Sequence, residues 1–141
     1  MNAETGYLLL NLFILPGWLL LAVAPRWRWT ESLVMSGGYS AVYALIYVVL
    51  IVWSLGKVDL DFSSLEAVKE LFSSDTVLLA GWVHYLAFDL LVAGWLLKNS
   101  QGRGVPHGWM LPVLLLTLYL GPAGYLLYRV GQGVRRQIRP G

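Results

Sequence analysis

Four apolar runs, at about residues 7–24, 33–55, 76–97 and 107–128, each come close to the twenty or so helical residues that cross a hydrocarbon core of about 30 Å. In hydrocarbon only a helix or a closed barrel satisfies its own backbone, so runs of this kind leave few folds open. Charged residues are 13% of the 141 and hydrophobic residues 57%. Soluble domains usually carry about 25% charged residues, so this chain lacks the charge to coat a water-facing surface. The reading is all-α: an integral membrane four-helix bundle, a single transmembrane domain over residues 1–141.

The first run stops at Pro25-Arg26-Trp27-Arg28-Trp29, with aromatic rings and charges of the kind that settle at a membrane interface. Ala22-Val23-Ala24 has the look of a signal-peptide cleavage site. However, Glu4 replaces the basic start of a signal peptide, the run is long for its apolar core, and Pro25 follows the cut. A mature helix is expected. The second run opens on Ser36, Gly37, Gly38, Ser40, Ala41 and Ala44, small residues that let a neighbour approach closely and permit a homodimer. Tyr39, Tyr43 and Tyr47 repeat every fourth residue and read as packing rather than ligand contact. Between the second and third runs, Ser63-Ser64-Leu65-Glu66 offers helix-capping residues. Leu65, Val68, Leu71 and Phe72 share one face, which predicts a short amphipathic surface helix.

The fourth run contains Gly121-Pro122, a pair expected to kink the helix into two halves and free carbonyls near the break. Four crossings would put both ends of the chain on one side. Lys and Arg then divide four against six, which sets no orientation. The basic tail Arg129, Arg135, Arg136 and Arg139 reads as an anchor to anionic membrane lipids, and the net charge of +2 is too small for a nucleic-acid face.

Chemistry points to the third run, where His84 and Asp89 sit in an otherwise apolar segment. An Asp at the centre of a membrane helix costs roughly 2.5–3.5 kcal/mol on insertion, so it marks a protein interior and a task there. Five residues separate the two, about 140° around a helix, so any site using both needs enclosure by other helices. Asp89 shares a face with Tyr85 and Trp82; His84 lines up with Phe88 and Trp95. A carboxyl acid and an imidazole base suit proton transfer on an apolar substrate. With two histidines and no cysteine, neither a metal nor a thiolate site is expected, and phosphate or dinucleotide motifs are absent, so no cofactor is called for.

The segment Trp82-Val83-His84-Tyr85-Leu86-Ala87-Phe88-Asp89-Leu90-Leu91-Val92-Ala93-Gly94-Trp95, followed by Pro106-His107, Leu111-Pro112, Leu116-Thr117 and Gly121-Pro122-Ala123-Gly124-Tyr125, resembles the abscisic-acid-deficient-4 (ABA4-like) family. Those are small four-helix membrane proteins. In the first half Leu12-Phe13, Leu15-Pro16, Pro25 and Trp27–Trp29 carry the likeness. The resemblance implies a role in xanthophyll metabolism, where plant members are required to form neoxanthin from violaxanthin in plastids. That isomerisation opens an epoxide and removes a proton from an adjacent carbon, and needs no redox cofactor. Mapped onto this chain, Asp89 is the acid and His84 the base. Trp82, Tyr85, Phe88, Trp95, His107 and Tyr119 would contact a carotenoid-like lipid substrate.

Because the first span starts almost at once, a bacterial inner membrane is expected rather than a plastid. A non-enzymatic pigment-binding or scaffold protein of a biosynthetic complex, with an enzyme as partner, is the alternative. A proton-coupled transporter would also use an intramembrane Asp and a broken helix, but one set of four helices offers no internal repeat.

Overall fold

The computed structural model describes residues 2–138, with side chains through residue 134. Every regular element among them is helical. Helix α1 (Ala3–Val23) starts where the Asn2 side chain accepts the Thr5 N–H at 2.9 Å. After it, residues Thr30–Met35 form one wide turn, with the Ser36 N–H reaching the carbonyl of Glu31 at 2.9 Å. Gly37, at φ 85°, redirects the chain into α2 (Gly38–Ser54), a conformation that a side chain would strain. The short α3 (Leu65–Leu71) begins as expected, with the Ser64 hydroxyl accepting the Ala67 N–H at 3.1 Å. Then come α4 (Asp75–Gly102), α5 (His107–Leu120) and α6 (Pro122–Ile138).

Contacts between helices set their directions. Helix α2 runs antiparallel to α1, and Tyr39 and Tyr43 of the predicted aromatic row donate their hydroxyls to the carbonyls of Phe13 and Leu10. Helix α4 runs antiparallel to α2, with Tyr47 beside His84 and Gly37 beside Leu91. It therefore lies parallel to α1: Trp82 meets Asn11, Leu90 meets Gly17, and the Gln101 amide donates to the Pro25 carbonyl at 2.7 Å. The buried set between them includes Leu21, Val34, Tyr43, Val83, Leu90 and Leu97. Small residues bring backbones together here, since a Cβ on Gly94 would lie 3.3 Å from the Met35 Cα.

Among the described residues, α1 and α4 are the two helices long and apolar enough to cross a membrane; α2 and α5 are shorter apolar helices. At 14 residues α5 is about 21 Å long, short of a bilayer core. The break expected at Gly121-Pro122 is present, with the fourth run divided into α5 and α6. It is more than a kink. A Cβ on Gly124 would lie 2.6 Å from both the Val113 carbonyl oxygen and the Thr117 nitrogen, atoms that a continuous helix would hold about 10–16 Å away. Tyr125 faces Trp95, and the Tyr128 hydroxyl donates to Asn99 Oδ1 at 2.7 Å. The chain thus turns back on itself, and the fourth run is a helical hairpin rather than one kinked span. The physical reason is local: Gly121 adopts φ 28°, Pro122 supplies a ready helix start, and Gly124 has no side chain to hold the two arms apart.

The 14 residues of α5 run back along the second half of the 28-residue α4, so the hairpin tip reaches the middle of α4. Of the four arginines expected to anchor the tail, Arg129 is exposed on α6. Arg139 and the side chains of Arg135 and Arg136 lie outside the described residues.

Candidate functional site

The two faces of α4 singled out by the sequence meet different surroundings. On one face, Asp89 is 8% exposed and its Oδ2 is buried with no hydrogen-bond partner. The hairpin tip closes over it: a Cβ on Gly121 would lie 3.1 Å from the Asp89 Cγ and overlap a carboxyl oxygen. Glycine at 121 is thus what allows the turn and the carboxyl to share this space. One turn earlier on α4, Tyr85 faces the same carboxyl.

From Tyr85 the polar row continues outward. Its ring stacks on Trp82 with centroids 5.4 Å apart, and Trp82 also meets Tyr7 of α1 at 5.4 Å. The Trp82 indole N–H donates to Asn11 Oδ1 at 3.3 Å, while the Asn11 amide donates back to the Tyr7 carbonyl at 2.7 Å. Tyr7, Trp82 and Tyr85 line an open groove of about 660 Å³ between the first turns of α1 and α4, with Asn11 behind Trp82. Tyr7, Phe72, Leu78, Trp82 and Tyr85 form its walls, and Glu4 and Asp75 stand at its outer end. Phe72, from just past α3, lies over Gly81: a Cβ there would come within 2.6 Å of the Phe72 ring. Asp89 is not itself a wall residue; it sits behind Tyr85.

On the other face His84 is exposed, with its ring 4.7 Å from Phe88 and 5.5 Å from Tyr47. Phe88 and Trp95 are likewise exposed, and Trp95 meets Tyr125 of α6 at 6.3 Å. The enclosure that a joint His84–Asp89 site needs is therefore given to Asp89 alone. His107 lies at the far end of α5 from the hairpin tip, where its Nε2 is 2.7 Å from the Ala22 carbonyl. Its part is to hold the end of α1 against the start of α5. Tyr119 is 70% exposed on the outer side of α5.

Of the eight residues picked from sequence, the structure brings together Asp89, Tyr85 and Trp82. It leaves His84, Phe88, Trp95, His107 and Tyr119 apart from them. Two contributors went unnoticed in the sequence, Asn11 and Tyr7, while Gly121 was read there as a helix break and not as the residue that closes over Asp89. Asn11 carried a usable signal, because a lone amide within the first apolar run raises the same question of burial that drew attention to Asp89. Among the described residues no three His, Cys, Asp or Glu side chains gather as a metal site would require. The arrangement offers an apolar aromatic slot with a hydroxyl at its inner end and a carboxyl behind that hydroxyl.

Comparison with known proteins gives one match. A family model described as ABA DEFICIENT 4-like covers residues 5–128, which runs from the first turn of α1 into the first half of α6 and includes every residue of the groove beyond its outermost rim. No curated protein and no solved structure matches the chain.

Proposed function

We propose that this chain, which belongs to the ABA4-like family, is an integral membrane protein that binds a carotenoid-like isoprenoid lipid in the α1–α4 groove and isomerises it by acid–base chemistry. The observation that carries the reading is the graded wall of the groove. Aromatic rings of Tyr7, Phe72 and Trp82 lead inward to the Tyr85 hydroxyl, and the enclosed Asp89 carboxyl backs it. Flat apolar ligands suit such a slot, with a few placed polar groups fixing one end.

The membrane reading is supported by α1 and α4, which have the length and hydropathy to cross, and by the many large apolar residues on the outside, among them Leu12, Leu19, Val49 and Leu115. A water-soluble monomer rarely exposes so continuous an apolar surface. The chemistry follows from the position of Asp89. A neutral Asp89 carboxyl passes its proton to Tyr85 as the Tyr85 hydroxyl gives its own to an epoxide oxygen of the ligand, which stays on the product as an alcohol when the ring opens. The carboxylate left behind, acting through the same tyrosine, takes up the proton released from the neighbouring carbon. Protons balance over the cycle, and no electron leaves or enters. His84 has no part in this scheme, since it faces outward.

A second reading rests on one specific observation: Asp89 is behind the groove wall rather than on it. That favours a non-enzymatic pigment-binding protein, in which Asp89 fastens the hairpin tip and Tyr85 only orients the ligand. Pigment profiling separates the two. A carotenoid-producing host, with and without this chain, is extracted and its pigments compared by mass and retention. The enzyme reading expects a new isomer of unchanged mass that disappears in Asp89→Asn. Co-purification of an unaltered carotenoid with both wild type and variant supports the binding protein, and an unchanged profile with no bound pigment overturns both.

A further inference from the structure

We infer that the chain crosses the membrane three times rather than four, with α5 and α6 entering and leaving from one side. Its basic end rests on the anionic cytoplasmic leaflet, and its groove opens toward the opposite leaflet. The inference rests on the membrane reading above and adds to it an orientation and a side of entry for the ligand.

The geometry of the hairpin carries the first part. Helix α5 starts where His107 meets Ala22 at the far end of α1, and its tip reaches Asp89, the fifteenth of the 28 residues of α4. Helix α6 then runs back until Tyr128 meets Asn99, near the end of α4 where α5 began. Non-helical backbone at mid-membrane depth is tolerated where protein covers it, and Gly121 is buried against Asp89. The crossing helices are α1, α2 and α4. The start of α1 and the end of α6 therefore lie on opposite sides.

This topology redistributes the charges. The side holding the α1–α2 connection, the α4–α5 connection and the length of α6 beyond Tyr128 carries Arg26, Arg28, Lys98, Arg103 and Arg129. Arg135 and Arg136 follow on the backbone of α6. The other side, with the start of α1 and the 56–74 segment, carries Lys57 and Lys69. Four crossings gave no preference; three give seven against two, a bias that the positive-inside rule resolves clearly. Trp27, Trp29 and Trp109 stand exposed at the basic end, where indoles settle among headgroups, and the Arg28 guanidinium lies 5.0 Å from the Trp29 ring. Anionic headgroups of the cytoplasmic leaflet fit that surface. Glu4 and Asp75, at the outer end of the groove, belong to the other side, so a lipid ligand enters from the leaflet that faces away from the cytoplasm.

The chain has no cysteine, which makes the test direct. Ser32→Cys, Ser63→Cys and Gly133→Cys are expressed one at a time in a bacterial host. A membrane-impermeant maleimide is applied to intact and to permeabilised spheroplasts, alongside extraction of membranes at alkaline pH. The expected result is retention in the membrane, labelling of Ser63→Cys in intact cells, and labelling of the other two only after permeabilisation. Retained protein in which positions 63 and 133 label from the same side overturns the re-entrant hairpin and restores four crossings. Retained protein with the whole pattern inverted overturns the orientation. Release of the protein at alkaline pH overturns the membrane reading and the inference together, and so is distinguishable from the other two.

Discussion

Two faces of one helix make the instructive contrast. Trp82, Tyr85 and Asp89 lie on one side of α4, and His84, Phe88 and Trp95 on another. As sequence they look equally promising: each row mixes aromatic rings with one ionisable side chain. In the folded chain the first row is closed in by α1 and by the hairpin tip, while the second faces outward beyond the edge of α2. Helical spacing fixes which residues share a face, but the neighbours decide which face becomes an interior. The neighbours here were chosen by small residues. Gly17, Gly37 and Gly94 admit other helices to α4, and Gly121 with Gly124 folds the hairpin against it.

The contrast can be broken most severely at the hairpin. Gly124→Leu places its Cβ against the Val113 carbonyl and the Thr117 nitrogen, backbone atoms that cannot swing aside. Overpacking of this kind costs about 3 kcal/mol or more. The expected outcome is a thermal midpoint in detergent lowered by several degrees, together with loss of any activity that depends on an enclosed Asp89. An unchanged midpoint would mean that the two arms do not pack as described. Next in size is Asp89→Asn, which keeps shape and burial but removes the acid. Turnover should fall by about 100-fold or more, the usual weight of a positioned general acid or base, while the melting midpoint stays close to wild type. A matching fall in midpoint would instead assign Asp89 to holding the hairpin tip.

Much of this was legible before any coordinates. Apolar runs with little charge predict an all-helical chain, Ser64 announces the start of α3, and Gly121-Pro122 announces a break. Asp89 stands out on energetic grounds alone, and its shared face with Tyr85 and Trp82 follows from counting residues. The direction taken after the break was not legible, for a physical reason. Pro122 says that a helix cannot continue unchanged, but whether the chain bends or reverses depends on how closely Gly124 can approach Val113 and Thr117. The outward fate of His84 was likewise hidden, because it follows from which flank of α4 the other helices cover, and at His84 only the Tyr47 ring of α2 comes alongside. Asn11 was legible and passed over; its bond to Trp82 links α1 and α4 at the groove.

Further changes sharpen the contrast within the enclosed face. Tyr85→Phe removes the hydroxyl between ligand and carboxyl but keeps the ring that stacks on Trp82. In the scheme above Tyr85 relays every proton between Asp89 and the ligand, so the fall in rate should match that of Asp89→Asn, about 100-fold or more. Measured as turnover at saturating pigment, the deficit should appear in kcat, with binding of pigment retained. A deficit in binding alone would make Tyr85 an orienting residue without a share in proton transfer. Trp82→Phe should do less. It forfeits the indole bond to Asn11, a net loss of about 1 kcal/mol, and leaves the Asn11 carbonyl short of a donor. Pigment affinity should weaken by about fivefold with kcat near wild type, since Trp82 shapes the wall and touches no proton.

The smallest expected effect is the one that tests the comparison itself. His84→Gln replaces an ionisable ring on the outward face with a neutral amide, and the groove contacts of Trp82, Tyr85 and Asp89 do not involve that ring. Exposed substitutions away from caps, cores and polar networks usually shift stability by no more than about 0.5 kcal/mol. Loss of the ring contacts with Tyr47 and Phe88 falls within the same order. Turnover within about twofold of wild type is therefore expected at every pH where Asp89 functions, because the ring lies outside the enclosed row. A fall approaching that of Asp89→Asn would require the two faces to act on one substrate. The outward face of α4 would then have to be covered by a second molecule, and the division drawn between its two rows would give way to a site completed in an assembly.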